Sequence, residues 1–182
     1  MLVEPCAQVR ESFVAAVREL VADGRAGQGS ILGRWVEGFS DVWDTSAGFE
    51  AFLDYLRADA LPATPRPEGL VHQHTWWLVN GADYLGRVSV RPHLGNTFLR
   101  TLGGHIGYEV PPSRRRRGYA TQMLREVLPR AAALGVDPAL VTCDVDNVAS
   151  LRVIESVLAE TGGEFLDVTG GKRRYHLLTG RP

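Results

Sequence analysis

Hydrophobic residues along the chain recur with two different periods, and the changes of period mark out its elements. Val9, Phe13, Val17 and Leu20 return at helical spacing, with Arg10, Glu11, Arg18 and Glu19 elsewhere. That pattern predicts an amphipathic helix from Val9 to Ala22, ended by Asp23-Gly24. Residues 2–4 read as a short first strand. Residues 24–34 are glycine-rich and read as a mobile loop. Leu32 to Trp43 carries apolar residues without a clear period and reads as irregular or short-helical. Phe49, Phe52, Leu53 and Leu56 form one stripe of a second helix from Ser46 to Ala58, with Asp44, Thr45 or Ser46 as its cap. Pro62, Pro65 and Pro67 hold an extended connector within the domain.

The period then shortens to two. His74 to Asn80 reads as a strand, Gly81-Ala82-Asp83 as a turn, and Tyr84 to Arg91 as the return, with Val88 and Val90 facing one way and Arg87, Ser89 and Arg91 the other. Residues 92–102 link this hairpin to a central strand, Gly103 to Val110. There Ile106, Tyr108 and Val110 share one face and His105, Gly107 and Glu109 the other. Pro111 and Pro112, which have no N–H to donate, stop it. Helical spacing returns from about Gly118 to Leu134, where Met123, Leu124, Val127 and Leu128 share a face. Pro129 should kink that helix or split off its last turns. Ala139 to Asp144 reads as a buried strand. Asp146 or Asn147 caps a helix over about 148–159, and Glu164 to Leu178 forms a closing hairpin. Strands, then strand–helix–strand–helix, then a hairpin make an α/β layer structure with a mixed sheet.

Composition adds boundaries to this outline. The 182 residues fit one domain, residues 1–182, with a helical part over 1–70 and a sheet core over 70–178. The chain is 45% hydrophobic and 23% charged, with a net charge of −1, so no overall field draws it to nucleic acid or membrane. Basic charge is local, at 114–117 and 172–174. Cys6 and Cys143 make no disulfide framework and no metal-ligand spacing, so no metal is expected and a reducing, cytoplasmic setting is. The chain start lacks the pattern of a secretion signal, and no apolar run approaches the ~20 residues that span a bilayer.

The chemistry-bearing stretch is 103–121, a strand, a basic loop and a helix start. A helix N-terminus offers unpaired N–H groups and a partial positive charge. Gly118 and Ala120 let a ligand come close to that backbone, and Arg115, Arg116 and Arg117 add fork-shaped donors that suit phosphate. Physics alone makes this a pyrophosphate cradle. Neither the G-x-x-x-x-G-K-[ST] string nor G-x-G-x-x-G is present.

What is present is Arg115-x-x-Gly118-x-Ala120, preceded by Ile-Gly-Tyr-x-Val-x-Pro and followed by Thr121-x-x-Leu124. It resembles the acyl-CoA signature of the GNAT superfamily of N-acetyltransferases, in particular a branch with Gly-Gly-His-Ile-Gly-Tyr and Asp-Asn-x-x-Ser strings. The resemblance covers residues 70–178 well and the first 70 loosely. It implies a GNAT fold: a twisted, mostly antiparallel mixed sheet of six to seven strands with four main helices. The fourth and fifth strands splay, and the pantetheine arm pairs with the fourth as an added strand. It implies acetyl-CoA as co-substrate, held by Arg115, Arg116, Arg117, Gly118, Tyr119, Ala120 and Thr121, with the Val110 N–H facing the thioester. In Asp146-Asn147-Val-Ala-Ser150-Leu-Arg-Val-Ile-Glu155, it assigns Asn147 to the pantetheine or the nearby backbone and Ser150 to a place near the thiol. It also brings residues 60–73 towards the acceptor.

The implied reaction is direct attack of a primary amine on the thioester in a ternary complex. It needs a route for the amine proton, an N–H for the oxyanion and a donor for the departing sulfur. Glu109, His105 or water would take the proton. Ser150 would serve the sulfur, because Ile154 stands where many relatives carry a Tyr; Tyr108 and Tyr175 are weaker candidates. Trp76, Trp77, Arg91 and His93 are candidate liners of the acceptor pocket, though aromatics in a strand are more often core, and Arg91 is either a surface residue or a ligand for an acidic group on the substrate. The expected partner is a small-molecule or peptide amine, with no nucleic acid and no membrane, and the resemblance allows a homodimer. A non-catalytic acyl-CoA-binding module is the competing reading. Nucleic-acid binding through Arg114–Arg117 is a third, disfavoured by the near-neutral charge and the lack of a recognition motif.

Overall fold

The computed structural model describes residues 1–27 and 29–180. A seven-stranded mixed sheet runs through it, with strands β1 (Leu2–Val3), β2 (His74–Asn80), β3 (Asp83–Val90), β4 (Ile106–Glu109), β5 (Ala139–Asp144), β6 (Gly163–Thr169) and β7 (Lys172–Leu177). The order across the sheet is β1-β2-β3-β4-β5-β7-β6, and every pair is antiparallel except β4–β5. Helices α1 (Arg10–Ala22), α2 (Ile31–Phe39), α3 (Ser46–Asp59), α4 (Tyr119–Ala133) and α5 (Val148–Thr161) complete it.

Each face of the sheet has its own core. Val88, Val90 and Ile106 turn to α4 and α5 and pack with Met123, Leu124 and Val127. Trp77 and Tyr84 turn to the other side and pack with α1, α2 and α3. Phe13 sits at the middle of that second core, fully buried, stacked on Trp77 at 4.8 Å between centroids and edge-on to Trp43 at 5.5 Å and Tyr84 at 5.2 Å. Edge-to-face and offset rings add attraction beyond the area they bury.

Four expectations are corrected by the structure. Residues 31–39 form helix, so the expected loop stops short of residue 31, and of the irregular and short-helical readings of Leu32–Trp43 the helical one holds as far as Phe39; Ser30 Oγ caps it by accepting from the Gly33 N–H at 2.9 Å. Gln28, also in the expected loop, lies outside the described residues. Among the described residues five α-helices therefore stand where four main ones were expected. The central strand begins at Ile106 rather than Gly103, because Leu99–Gly103 winds into a π-helical turn that Gly104, at φ 68°, reverses into the sheet. Helix α4 continues through Pro129 to Ala133 without splitting. Of the three candidate caps of α3, Thr45 is the one used, accepting from the Gly48 N–H at 3.0 Å.

Phe13→Ala removes the ring that joins α1, α2 and α3 to the sheet. It should lower the free energy of unfolding by about 3–5 kcal/mol in urea denaturation. A change under about 1 kcal/mol would mean the aromatic cluster relaxes around the gap.

Candidate functional site

The site follows from how β4 leaves β5. The two strands share one bridge, Ile106 with Val141. Just before it, the His105 N–H donates to the Leu140 carbonyl at 2.8 Å, and the Leu140 N–H donates to His105 Nδ1 at 2.9 Å. Past the bridge the strands part. A cavity of about 460 Å³ opens there, walled by Tyr108, Val110, Gly118, Ala120, Asn147 and Ser150 among others.

One wall is the start of α4. Gly118 caps the helix at φ 80°, a left-handed conformation that glycine adopts without strain, and a Cβ there would meet nothing within 4 Å. The first intrahelical bond runs from the Gln122 N–H to the Gly118 carbonyl at 2.9 Å. The N–H groups of Tyr119, Ala120 and Thr121 precede it, and helix geometry leaves them facing the cavity mouth. This open space against bare backbone donors fits a phosphate group.

The basic loop is fastened to its surroundings. Ser113 donates from N and Oγ to the Glu19 carboxylate, each at 2.8 Å. Arg114 pairs with Asp83 at 2.8 Å, and Arg115 pairs with Asp23 while donating from Nε to the Val110 carbonyl at 3.2 Å. The Arg115 hydrogen bond holds the Asp23 carboxyl below its ordinary range. Arg115 and Arg116 line the cavity, Arg116 in a left-handed conformation at φ 64°; Arg117 is exposed outside it.

A second cavity, about 680 Å³, lies on the α1–α3 side of the sheet. Arg25, Tyr108, Glu109, Asn147 and Ser150 line both cavities, so the two meet at the splay. Its floor is one face of the sheet, where Arg87 lies opposite Glu109 and Arg91 beside Gly107; Ser89, between the two arginines on β3, is fully buried against Thr75 at 2.9 Å. Glu109, 9% exposed, accepts from Arg87 at 3.1 Å and is 3.5 Å from Arg25 Nε. Trp35 of α2 lies under the Arg87 guanidinium, 5.0 Å from ring centroid to Cζ. Residues 69–73 of the proline-bearing connector and its continuation contribute Gly69, Val71 and Gln73 to the same walls.

The predicted site residues divide as follows. Val110, Tyr119, Ala120, Thr121, Asn147, Ser150 and Glu109 come together around the first cavity. Asn147 caps α5, its Oδ1 accepting from the Ser150 N–H at 3.0 Å, and the Ser150 side chain lies within reach of Tyr108. Tyr108 Oη reaches the Ser150 carbonyl at 3.5 Å, and burial pushes its hydroxyl up to about 12. Arg91 lines the second cavity. Trp76 does not: it is on the opposite face, under Arg130 at 5.3 Å. His93 lies beside His72, 5.4 Å between centroids, outside both walls. His105 stands at the strand junction with Nδ1 engaged, and burial, aided by His176 and Arg91, pulls it down to about 4. Arg25, Arg34 and Arg152 line the cavities and were not singled out from the sequence; the period-two face of Arg87, Ser89 and Arg91 was the one readable signal for this floor.

Among the described residues no group of three His, Cys, Asp or Glu side chains is arranged to hold a metal, and no helix is long and apolar enough to cross a membrane.

His105 generates a stability prediction. Its folded pKa lies below the ordinary 6.5, so the folded protein binds fewer protons than the unfolded chain there. Stability from this group is complete above pH 6.5 and is lost as pH falls towards 4. His105→Asn, which keeps an acceptor for Leu140, should be relatively less acid-sensitive. The two proteins should diverge by about 2–3 kcal/mol across that window in urea melts at stepped pH. Parallel curves would show His105 to be free of the Leu140 bond in solution.

The comparisons with known proteins agree with this architecture. The family described as Acetyltransferase (GNAT) domain matches residues 33–157. No curated protein matches the chain. Among solved structures, a GNAT-family acetyltransferase from Streptococcus pneumoniae aligns at TM-score 0.58 and 15% identity, covering 99% of each chain. YncA of Salmonella typhimurium with its cofactor acetyl-CoA aligns at TM-score 0.56 and 12% identity, over 100% of this chain and 95% of that one. The microcin C7 self-immunity acetyltransferase MccE, in complex with acetyl-CoA and AMP, aligns at TM-score 0.58 and 13% identity, over 97% and 91%. At these identities the likeness is one of fold.

Proposed function

The chain belongs to the GNAT acetyltransferase family, and from that premise we propose that residues 1–182 form one enzyme domain that moves the acetyl group of acetyl-CoA directly onto a primary amine in a ternary complex. The observation that carries this reading is the meeting of the two cavities at the β4–β5 splay, with Glu109, Tyr108 and Ser150 at the junction. The helix-start cavity suits the coenzyme. Tyr119, Ala120 and Thr121 offer N–H groups to the pyrophosphate, with Arg115 and Arg116 beside them. The unpaired β4 edge beyond Ile106 offers backbone to the pantetheine, and Asn147 supports the turn it passes. The second cavity takes the amine.

The amine nitrogen attacks the thioester carbonyl. A C–N bond forms, the carbonyl oxygen takes the electron pair, and the Val110 N–H is the donor placed to hold that oxyanion. Glu109 accepts the amine proton, directly or through water. His105 is unsuited, since its Nδ1 lone pair is already used by Leu140 and its ring is hard to protonate. The C–S bond then breaks, and the thiolate takes a proton or hydrogen bond from the Ser150 hydroxyl; Tyr108, which burial keeps protonated at neutral pH, is the second donor within reach.

Release of free thiol from acetyl-CoA, followed across a panel of primary amines, tests the reading against a module that binds acyl-CoA without turnover. Ser150→Ala should lower kcat by about 10²-fold or somewhat less while leaving the coenzyme dissociation constant within about threefold. Glu109→Gln, which still accepts from Arg87, should lower kcat by about 10²–10³-fold. Thiol release that no amine accelerates would contradict the enzyme reading; unchanged kinetics in both variants would contradict these roles.

A further inference from the structure

Arg91 reaches across the floor of the second cavity. Both of its terminal nitrogens lie 3.9 Å from the point where a Cβ at Gly107 would stand, so the guanidinium lies over the bare backbone of β4 at that position. Its one hydrogen bond among the described residues goes from Nη1 to the Gly104 carbonyl, a long 3.3 Å. No carboxylate among the described residues pairs with it. Arg34 enters the same cavity from α2 and donates to the Gly29 carbonyl at 3.0 Å, again without an acid. Arg87 and Arg25 share one carboxylate, Glu109, and Arg87 keeps Nε and Nη1 buried without any partner.

The other acids of these walls are already matched. Asp59 is held by Arg66, which donates to its carboxylate at 3.2 Å and its carbonyl at 2.7 Å, and Asp144 is held by Lys172 at 2.6 Å. Four guanidiniums therefore face one carboxylate across a half-enclosed space. Like charges in a poorly solvated site repel, and burial together with Arg87 and Arg34 pulls Arg91 down to about 10. Such an arrangement is stabilised by an anion that enters between the arginines, and guanidinium forks match oxyanions two bonds at a time.

We propose that the acceptor is an amine that also carries an oxyanion group, a carboxylate or a phosphate, and that Arg91 and Arg34 bind that group while Glu109 faces the amine. This rests on the acetyltransferase reading of the same site. The roles divide along β4: the anion sits over Gly107, and Glu109 lies two residues further along the same face, about 7 Å away at strand spacing. Simple polyamines, which bring only positive charge, are disfavoured by the same field.

The test measures binding to CoA-saturated protein by calorimetry, so it does not depend on turnover. One arm compares α-amino acids with their α-amides; the other compares O-phosphoethanolamine with ethanolamine. In at least one arm the anionic member should bind about 10- to 100-fold more tightly than its neutral partner, the range expected for hydrogen bonds to a charged group. The arm that responds names the oxyanion. Arg91→Gln should erase most of that preference with an unchanged melting temperature. Arg34→Gln, on a different element, should reduce it independently. Neutral members that bind as tightly as anionic ones would overturn the proposal. So would a preference that survives both substitutions, or failure of every anionic amine to bind a protein that does bind CoA. A protein that binds no CoA would overturn the acetyltransferase reading, and this assignment with it.

Discussion

One parallel bridge, between Ile106 and Val141, decides the rest of this structure. A continuous β4–β5 ladder would seal the sheet and leave no site. Here the bridge sits at the strand start, and the backbone of β4 past it has no strand on that side. Unpaired buried backbone is costly, so the gap needs either side chains, water or a ligand that pairs like a strand. Tyr108 and the N-terminus of α5 narrow the gap, and the start of α4 closes one end with free N–H groups. The same divergence gives both cavities a common opening. The two cavities and the three polar side chains between them are consequences of where two strands stop pairing.

The two sides of the sheet then do different work. On the α4–α5 side, alternation buries Val88, Val90 and Ile106 in an apolar core that holds the strands rigidly in place. On the α1–α3 side, the same alternation presents Arg87, Ser89, Arg91 and Glu109. The aromatic core around Phe13 and Trp77 ends there, and Trp35 supports the Arg87 guanidinium from below. Helix α2 thus links the aromatic core to the second cavity, contributing Trp35 to one and Arg34 to the other. The basic loop is fixed from three directions, by Glu19, Asp23 and Asp83. A site on a loop tied this way keeps its geometry better than a free loop would.

Much of this was legible in the sequence because the informative strings are local. The Arg115-x-x-Gly118-x-Ala120 stretch, the period-two face of Arg87, Ser89 and Arg91, and the Asn147 cap each act through backbone or neighbours within a few residues. Helix α2 was hidden by its glycines. Ile31, Leu32, Trp35, Val36 and Phe39 do have helical spacing behind a Ser30 cap, but Gly33 and Gly38 read as loop. Gly33 is there for packing: a Cβ would stand 2.5 Å from the Gly27 carbonyl oxygen. The late start of β4 depends on the turn at 99–103, which is stabilised from Asn96 and so lies outside any strand pattern. Pairing between distant charges was not legible at all. Nothing in the sequence ties Glu109 to Arg25 or Asp59 to Arg66, and those pairings decide which arginines remain free.

The most direct test of the account is a calorimetric titration of acetyl-CoA into the protein, alongside Gly118→Ala and Gly118→Glu. Both variants impose similar strain at a left-handed position, about 1–2 kcal/mol, and only the second puts a negative charge in front of the α4 N-terminus. The account predicts micromolar-range binding by the parent, binding within about tenfold of it by the alanine variant, and none by the folded glutamate variant. No binding by the parent, or equal binding by the glutamate variant, would contradict the assignment of this helix start as the coenzyme cradle.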